Sequence, residues 1–295
     1  MNAANVRLYQ LNEHMPYIGY ESRYTQMMSF ILVSKSGEIV LIDGGDTGDA
    51  DYLLRRLRDL GGEKPHIKTW YITHGHEDHV NALYDILIRY PDAVTIGQIC
   101  HNVPDRHYFA TLEAGSCLIT FDRLNAIFQK YPSAVHRVQE GEKFEYDGFS
   151  MEVLYVPQGD YVTINDTSVV YRMDAENQSV LFLGDLSEGH EDELLKVGGK
   201  KCYCDIVQMA HHGQGGVSEK FYRAIKPKAA LWCTPEWLWN NDNGDGFDTY
   251  IWKTVSIRRC MKELEVLHNV VTKDGEAELV FPLDFENSHF GIPAM

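Results

Sequence analysis

Thr73-His74-Gly75-His76-Glu77-Asp78-His79 is the stretch on which the reading of this 295-residue chain turns. It packs His74, His76, Asp78 and His79, four residues that can ligate metal, into a single short run. The run just before it, Thr69-Trp70-Tyr71-Ile72, is β-rich and apolar and predicts a buried strand. Residues 80–90 predict a helix that Pro91 stops. On such a strand-to-helix turn His74 and His76 project to one side, and Asp78 and His79, at the start of the helix, project around a neighbouring point. Imidazole nitrogen and carboxylate oxygen both suit zinc, at roughly 2.0–2.2 Å. A polar loop with Asp78 capping the helix would need only one of these residues. Three histidines and an aspartate at this density point to metal.

Working outward, residues 28–33 and 38–42 flank Ser34-Lys35-Ser36-Gly37, which predicts a hairpin whose second strand runs into Asp43-Gly44-Gly45. Residues 49–60 place Leu53, Leu54, Leu57 and Leu60 on one helical face, ended by Gly61-Gly62. Further helices are predicted over 124–131, 218–225 and 250–264. Strands are predicted over 150–156, 167–173, 179–183, 205–209, 229–233 and 276–281. Strands mixed with helices throughout make the class α/β, sheets covered by helices. Pattern alone leaves a sandwich and a doubly wound sheet both open. No repeat, low-complexity tract or linker divides the chain, so residues 1–295 read as a single domain.

Two downstream strand ends carry more ligand chemistry. Leu181-Phe182-Leu183-Gly184-Asp185 is an apolar strand ending in a carboxylate that can bridge two metals through its two oxygens. Residues 206–210 lead into His211-His212-Gly213, where glycine lets the backbone approach a ligand. Asp43, at a fourth strand end, can orient a ligand histidine from behind. Each feature alone could be a plain turn or a surface loop. Together they supply strand ends that can converge on one rim.

His-x-His-x-Asp-His at 74–79, preceded by a strand ending in Asp43-Gly44 and followed by Gly184-Asp185 and a late histidine, resembles the metallo-β-lactamase-fold hydrolase superfamily over roughly Asp43 to His212. The resemblance implies a four-layer αβ/βα sandwich with two metals at the rim between two β-sheets. It implies His74 and His76 on one metal, Asp78 and His79 on the other, and Asp185 bridging. The late ligand falls on His211 or His212, and His211, first after the strand, is preferred. One departure stands out: most members place another histidine before the Gly-Asp strand, and here no histidine lies between His136 and His190. The matching region reads Pro157-Gln158-Gly159-Asp160 and then Asn165-Asp166-Thr167-Ser168. With His-His-Gly, it resembles the branch containing the competence DNA-uptake protein's hydrolase domain and is similar to bacterial phosphorylcholine esterase. Both imply phosphate-ester cleavage. The His74/His76 metal is left short of a protein donor, to be completed by water, substrate, Asp160 or Asp166.

The expected enzyme is a binuclear hydrolase of the phosphodiesterase kind. Its cofactor is two divalent ions, zinc first and manganese or iron as alternatives. They share a hydroxide whose pKa falls to about 7 and which attacks phosphorus. Asp78, Asp185 and His211 are the expected catalytic residues. Lactone or thioester hydrolysis with the same site, and a non-catalytic metal-binding module, stand as alternatives. An iron oxygenase or flavodiiron-type oxidoreductase ranks last, because the mono-iron version needs the missing histidine and no flavin-binding domain follows. The aromatic stretch from Trp237 and Trp239 through Phe247, Tyr250 and Trp252 reads either as a substrate lid or as a loop packing into the core. Asn165, Asp166, Trp237 and Trp239 are the candidate substrate contacts. His190 is a candidate proton donor or a helix-start histidine, and His101 and His107 lie in a loop that can approach the rim.

A formal net charge of −16 repels phosphate backbones, so the expected partner is a small-molecule phosphate ester rather than long nucleic acid. The six scattered cysteines read as free thiols in a reducing cytoplasm. Cys202 and Cys204, two apart on an expected strand, are a weaker metal pair. Met1 to Arg7 lacks the apolar run of a signal peptide. No stretch approaches the roughly 18 apolar residues of a membrane helix, so the expected location is cytoplasmic.

Overall fold

The computed structural model describes residues 5–14, 25–113, 115–288 and 290. The signal-peptide reading rests partly on residues 1–4, which lie outside them. Among the described residues, two seven-stranded sheets stack face to face. The first contains β1 (Arg7–Gln10), β2 (Ser29–Val33), β3 (Ile39–Asp43), β4 (His66–Tyr71), β5 (Thr95–His101), β6 (Val135–Arg137) and β14 (Ala277–Val280), in the order β14-β1-β2-β3-β4-β5-β6. The second contains β7 (Lys143–Tyr146), β8 (Phe149–Tyr155), β9 (Val170–Ala175), β10 (Gln178–Phe182), β11 (Ile206–Gln208), β12 (Ala229–Trp232) and β13 (His268–Val271), in the order β13-β12-β11-β10-β9-β8-β7.

Alternation along the strands builds the layers. Phe30 and Leu32 on β2, Val40 and Ile42 on β3, and Tyr171 and Met173 on β9 fill the core between the sheets. Ile31, Val33, Ile39 and Leu41 face outward onto α1 (Ala50–Gly61), α2 (Glu77–Tyr84), α3 (Arg106–Leu112) and α4 (Ser116–Lys130). Leu181, Val207 and Ala230 face outward onto α5 (Glu191–Gly198), α6 (Glu219–Ile225), α7 (Glu236–Trp239) and α8 (Thr254–Glu263). The result is the four-layer αβ/βα sandwich. Strands covered on both faces are apolar on both faces, which is why periodicity alone left the architecture open.

Each sheet changes from antiparallel to parallel pairing at one strand, β3 in the first and β10 in the second. The chain leaves β3, β4, β10, β11 and β12 toward one rim, and the crevice outside the carboxyl ends of parallel strands is where such sheets bind ligands.

Several boundaries differ from the sequence reading. The helix expected over 80–90 starts at Glu77, ends at Tyr84 and widens into a π turn over Asp85–Arg89. The strand expected from 167 begins at Val170, because Thr163 and Asp166 form a capping box on a 3-10 turn over Ile164–Thr167. Cys202 ends a 3-10 turn, so Cys202 and Cys204 share no strand face. Cys202 Sγ instead donates to the Leu194 carbonyl at 3.3 Å. All six cysteines are free and buried. Among the described residues no helix is long and apolar enough to cross a membrane.

Candidate metal centre

The site is built from behind by Asp43, the last residue of β3, held in a left-handed conformation at φ 53°. Its carboxylate accepts the Thr73 backbone N–H at 2.8 Å, the Thr73 hydroxyl at 2.7 Å and the His79 Nδ1–H at 2.8 Å. Burial pushes the Asp43 carboxyl up, and His79 and Thr73 oppose the shift. These partners assign the ring tautomers. The Thr73 proton goes to Asp43, so Thr73 Oγ1 accepts from His74 Nδ1 at 3.1 Å and leaves His74 Nε2 bare. His79 Nδ1 is likewise spent on Asp43, leaving Nε2 bare. His212 Nδ1 lies 2.9 Å from the Cys233 carbonyl, which can only accept, so His212 Nε2 is bare as well. His76 Nε2 lies 2.8 Å from Glu113 Oε2, leaving His76 Nδ1 bare.

These acceptors crowd one place. His74 Nε2 and His76 Nδ1 are 3.0 Å apart. His79 Nε2 lies 3.4 Å from Asp185 Oδ1 and 3.8 Å from Asp78 Oδ1. His212 Nε2 lies 3.0 Å from Asp78 Oδ2 and 3.6 Å from Asp185 Oδ2. Although the His212–Asp78 approach is short, its direction does not suit a hydrogen bond. Thus His79 Nε2, His212 Nε2 and Asp185 Oδ1 are buried without a hydrogen-bond partner among the described residues. Orphaned buried acceptors are costly, and a cation among them removes the cost. His74, His76 and Asp185 form one group that could hold an ion, and Asp78, His79 and His212 form another, with donor atoms within 4.8 Å of one another in each. Nitrogen and oxygen donors in this mixture fit divalent metal ions. Burial opposes charge on Asp185, yet His79, His212 and His211 hold its carboxyl well below the usual range.

Of the two late histidines, it is His212 that joins Asp78 and His79, contrary to the preference for His211. His211 and His212 are both left-handed, at φ 49° and 53°, and Gly213 follows at φ 76°. Three such residues in a row swing the second ring inward. His211 instead lines the cavity, 3.4 Å from Asn165 Nδ2 and 3.8 Å from Asp185 Oδ2, with its ring roughly perpendicular to that of Trp252. Asp166 is committed elsewhere. It accepts from the Val162 and Thr163 backbone N–H groups and pairs with His190 at 3.5 Å, so it completes no metal group and His190 faces it rather than Asp185. Asp160 is exposed and joins neither group.

Trp239 is a core residue, 5% exposed, edge-on to Trp232 and under the Arg258 guanidinium at 4.0 Å, so it is out of a substrate's reach. Trp237 is half-buried and donates to the Thr25 carbonyl at 3.3 Å. His101 stacks on Phe128 and burial lowers it to about 4. His107 lies on α3 against Tyr108.

In front of the ligand groups opens a cavity of about 770 Å³, whose walls include Asp46, Asn81, Glu113, Cys117, Arg123 and His211. Glu113, Cys117 and Arg123 carried no signal in the sequence. They sit at the end of α3 and on α4 with no motif around them.

The profile of the Metallo-beta-lactamase superfamily matches residues 26–233. ComE operon protein 3 of Bacillus subtilis (strain 168) is 27% identical over 99 residues, which span 33% of this chain and 13% of that protein. Among solved structures, the metallo-beta-lactamase fold protein YhfI from Bacillus subtilis superposes over 93% of this chain and 99% of its own, with a TM-score of 0.52 at 12% identity. CmlA beta-hydroxylase superposes over 88% of this chain and 53% of its own, with a TM-score of 0.51 at 13% identity. At these identities the structural likeness speaks to the fold, and the profile match, covering most of the chain and both ligand groups, speaks to descent. The chain belongs to the metallo-beta-lactamase superfamily.

Proposed function

We propose that the chain is a binuclear metal-dependent hydrolase that cleaves a small phosphate ester. The observation that carries this reading is the pair of ligand groups meeting at Asp185, which touches His79, His74 and His212 within 3.9 Å. His74, His76 and Asp185 would hold one divalent ion, zinc first. Asp78, His79 and His212 would hold the other, with Asp185 shared. Two such ions supply an activated water at neutral pH and Lewis-acid stabilisation of the developing negative charge. The protein's own part is orientation. Asp43 and Thr73 fix two imidazoles, and the Cys233 carbonyl fixes a third. His211, outside both groups but on the cavity wall, would move a proton at Nε2 to or from the substrate's leaving oxygen.

Phosphate is favoured over lactone or thioester by Arg123, the one Lys or Arg among the described cavity-lining residues. It gives one N–H to Thr47 Oγ1 at 3.2 Å and leans over Tyr84, keeping further donors for an anion. A chain of net charge −16 favours a small ester over long nucleic acid. The test is metal content per chain by elemental analysis beside turnover of bis(p-nitrophenyl) phosphate, with His76→Ala as control. About two ions per chain and turnover lost in the control support the reading. His211→Gln should keep both ions while kcat falls roughly 100-fold, the scale of lost acid–base assistance. Turnover of lactones or thioesters alone would reassign the substrate, and metal without turnover on any panel would leave a binding module.

A further inference from the structure

We propose that Glu113 is a positioning residue for the metal site: it takes the His76 Nε2 proton and so turns His76 Nδ1 toward the ion that His74 and Asp185 share. This rests on the reading that an ion binds between His74 and His76. The geometry stands on its own. Glu113 Oε2 is 2.8 Å from His76 Nε2 and also accepts from Cys117 Sγ at 3.3 Å. Glu113 Oε1 accepts the Ile164 backbone N–H at 2.8 Å. Both oxygens are therefore fixed, and the carboxylate cannot swing away from the ring.

An imidazole has two nitrogens on opposite sides of the ring, and only one can face a given ion. A carboxylate behind the outer nitrogen fixes the tautomer and raises the basicity of the inner one. His76 is one of the two ligand histidines on the side of the site that lacks a further histidine donor, so this support falls where the ligand set is thinnest. Glu113 also ties that side to the Ile164–Thr167 turn, whose Asn165 reaches His211. One carboxylate thus joins the end of α3 to both ends of the site. The competing arrangement places an ion among His76 Nε2, Glu113 and Cys117, whose donor atoms also lie within 4.8 Å of one another. It would require a proton on His76 Nδ1, which would then face His74 Nε2 and remove a ligand from the other group.

The deciding measurement is long-range ¹H–¹⁵N NMR of the histidine rings in the zinc-loaded wild-type chain, read beside zinc affinity by chelator competition. The expected result is His76 protonated at Nε2 and metallated at Nδ1. Glu113→Gln should bind the weaker zinc roughly tenfold less tightly, the low end of what such partners contribute, and shift the visible spectrum of the cobalt-loaded protein. Cys117→Ser, whose hydroxyl can still donate to Glu113 Oε2, should remove no thiolate-to-cobalt band. His76 metallated at Nε2, or a thiolate-to-cobalt band lost in Cys117→Ser, would overturn the proposal in favour of the competing site. Two zinc ions bound as tightly in Glu113→Gln as in wild type would overturn it also. Absence of zinc from wild type would instead defeat the binuclear reading beneath it. Should Glu113→Gln misfold, as judged by circular dichroism, the wild-type tautomer decides alone.

Discussion

Asp43 accepts three hydrogen bonds with two oxygens. An amide there has one acceptor and would turn a donor toward Thr73 or His79. Asp43→Asn should therefore weaken metal binding by about 10–100-fold, the range for such partners. Chelator competition reads this, and wild-type affinity in the variant would remove Asp43 from the account. His101 gives a prediction of opposite character, because it lies in no ligand group. Its folded pKa of about 4 is below the unfolded value of about 6.5, so the unfolded chain binds the proton first. The stability it confers is complete above pH 6.5 and is lost as pH falls toward 4, by roughly 3 kcal/mol at most. Denaturant unfolding of metal-free wild type and His101→Phe at pH 7 and pH 4.5 should show the wild type losing more. Equal losses would sink the idea. The candidate ligands at 74–79 were legible because they are neighbours in sequence. Glu113 was not, because its partner is 37 residues away. That His212 rather than His211 lies beside Asp78 and His79 depends on ring direction at two left-handed residues, which spacing does not report.

At the scale of elements, the turn after β10 sits tightly against the turn after β4. Gly184 has φ 55°, and a Cβ added there would lie 2.7 Å from Thr73 Cβ. Thr73 stands between Asp43 and His74, so Gly184→Ala should disturb the metal site as well as the packing. The expected loss is about 1–3 kcal/mol of stability, as for other overpacked positions, with fewer ions retained per chain. A fully metallated variant of wild-type stability would contradict this. The hairpin β2–β3 and the helix α1 were readable because each carries its own turn or cap. β5 was missed because Gly97 interrupts its pattern. The structure shows why glycine is there: a Cβ would lie 2.6 Å from the Lys68 carbonyl on the neighbouring strand. The aromatic stretch around α7 mixes two environments, with Trp239 buried and Phe247 56% exposed, and composition alone does not separate them.

For the whole molecule, the proposed ligands come from both sheets: His74, His76, Asp78 and His79 after β4, Asp185 after β10 and His212 after β11. Bound ions would clamp one sheet to the other. At free metal 100 times its Kd, each site adds roughly 2.7 kcal/mol. Stripping with a chelator should lower Tm and speed amide exchange at the ends of β4 and β10 before it does so in the core between the sheets. An unchanged Tm after complete stripping would show that the sheets hold together without help. The layering itself was only half legible, because neighbours such as β14 and β1 are set by contacts across nearly the entire chain.

That pairing, Arg7 opposite Val280, has a consequence during synthesis. A nascent chain exposes the outer edge of β1 until β14 emerges, a bare edge that invites foreign strands. Every proposed ligand, His212 being the final one, is made before that strand. Metal can therefore meet its ligands on the ribosome while this edge is still open, because the strand that covers it is made after all of them.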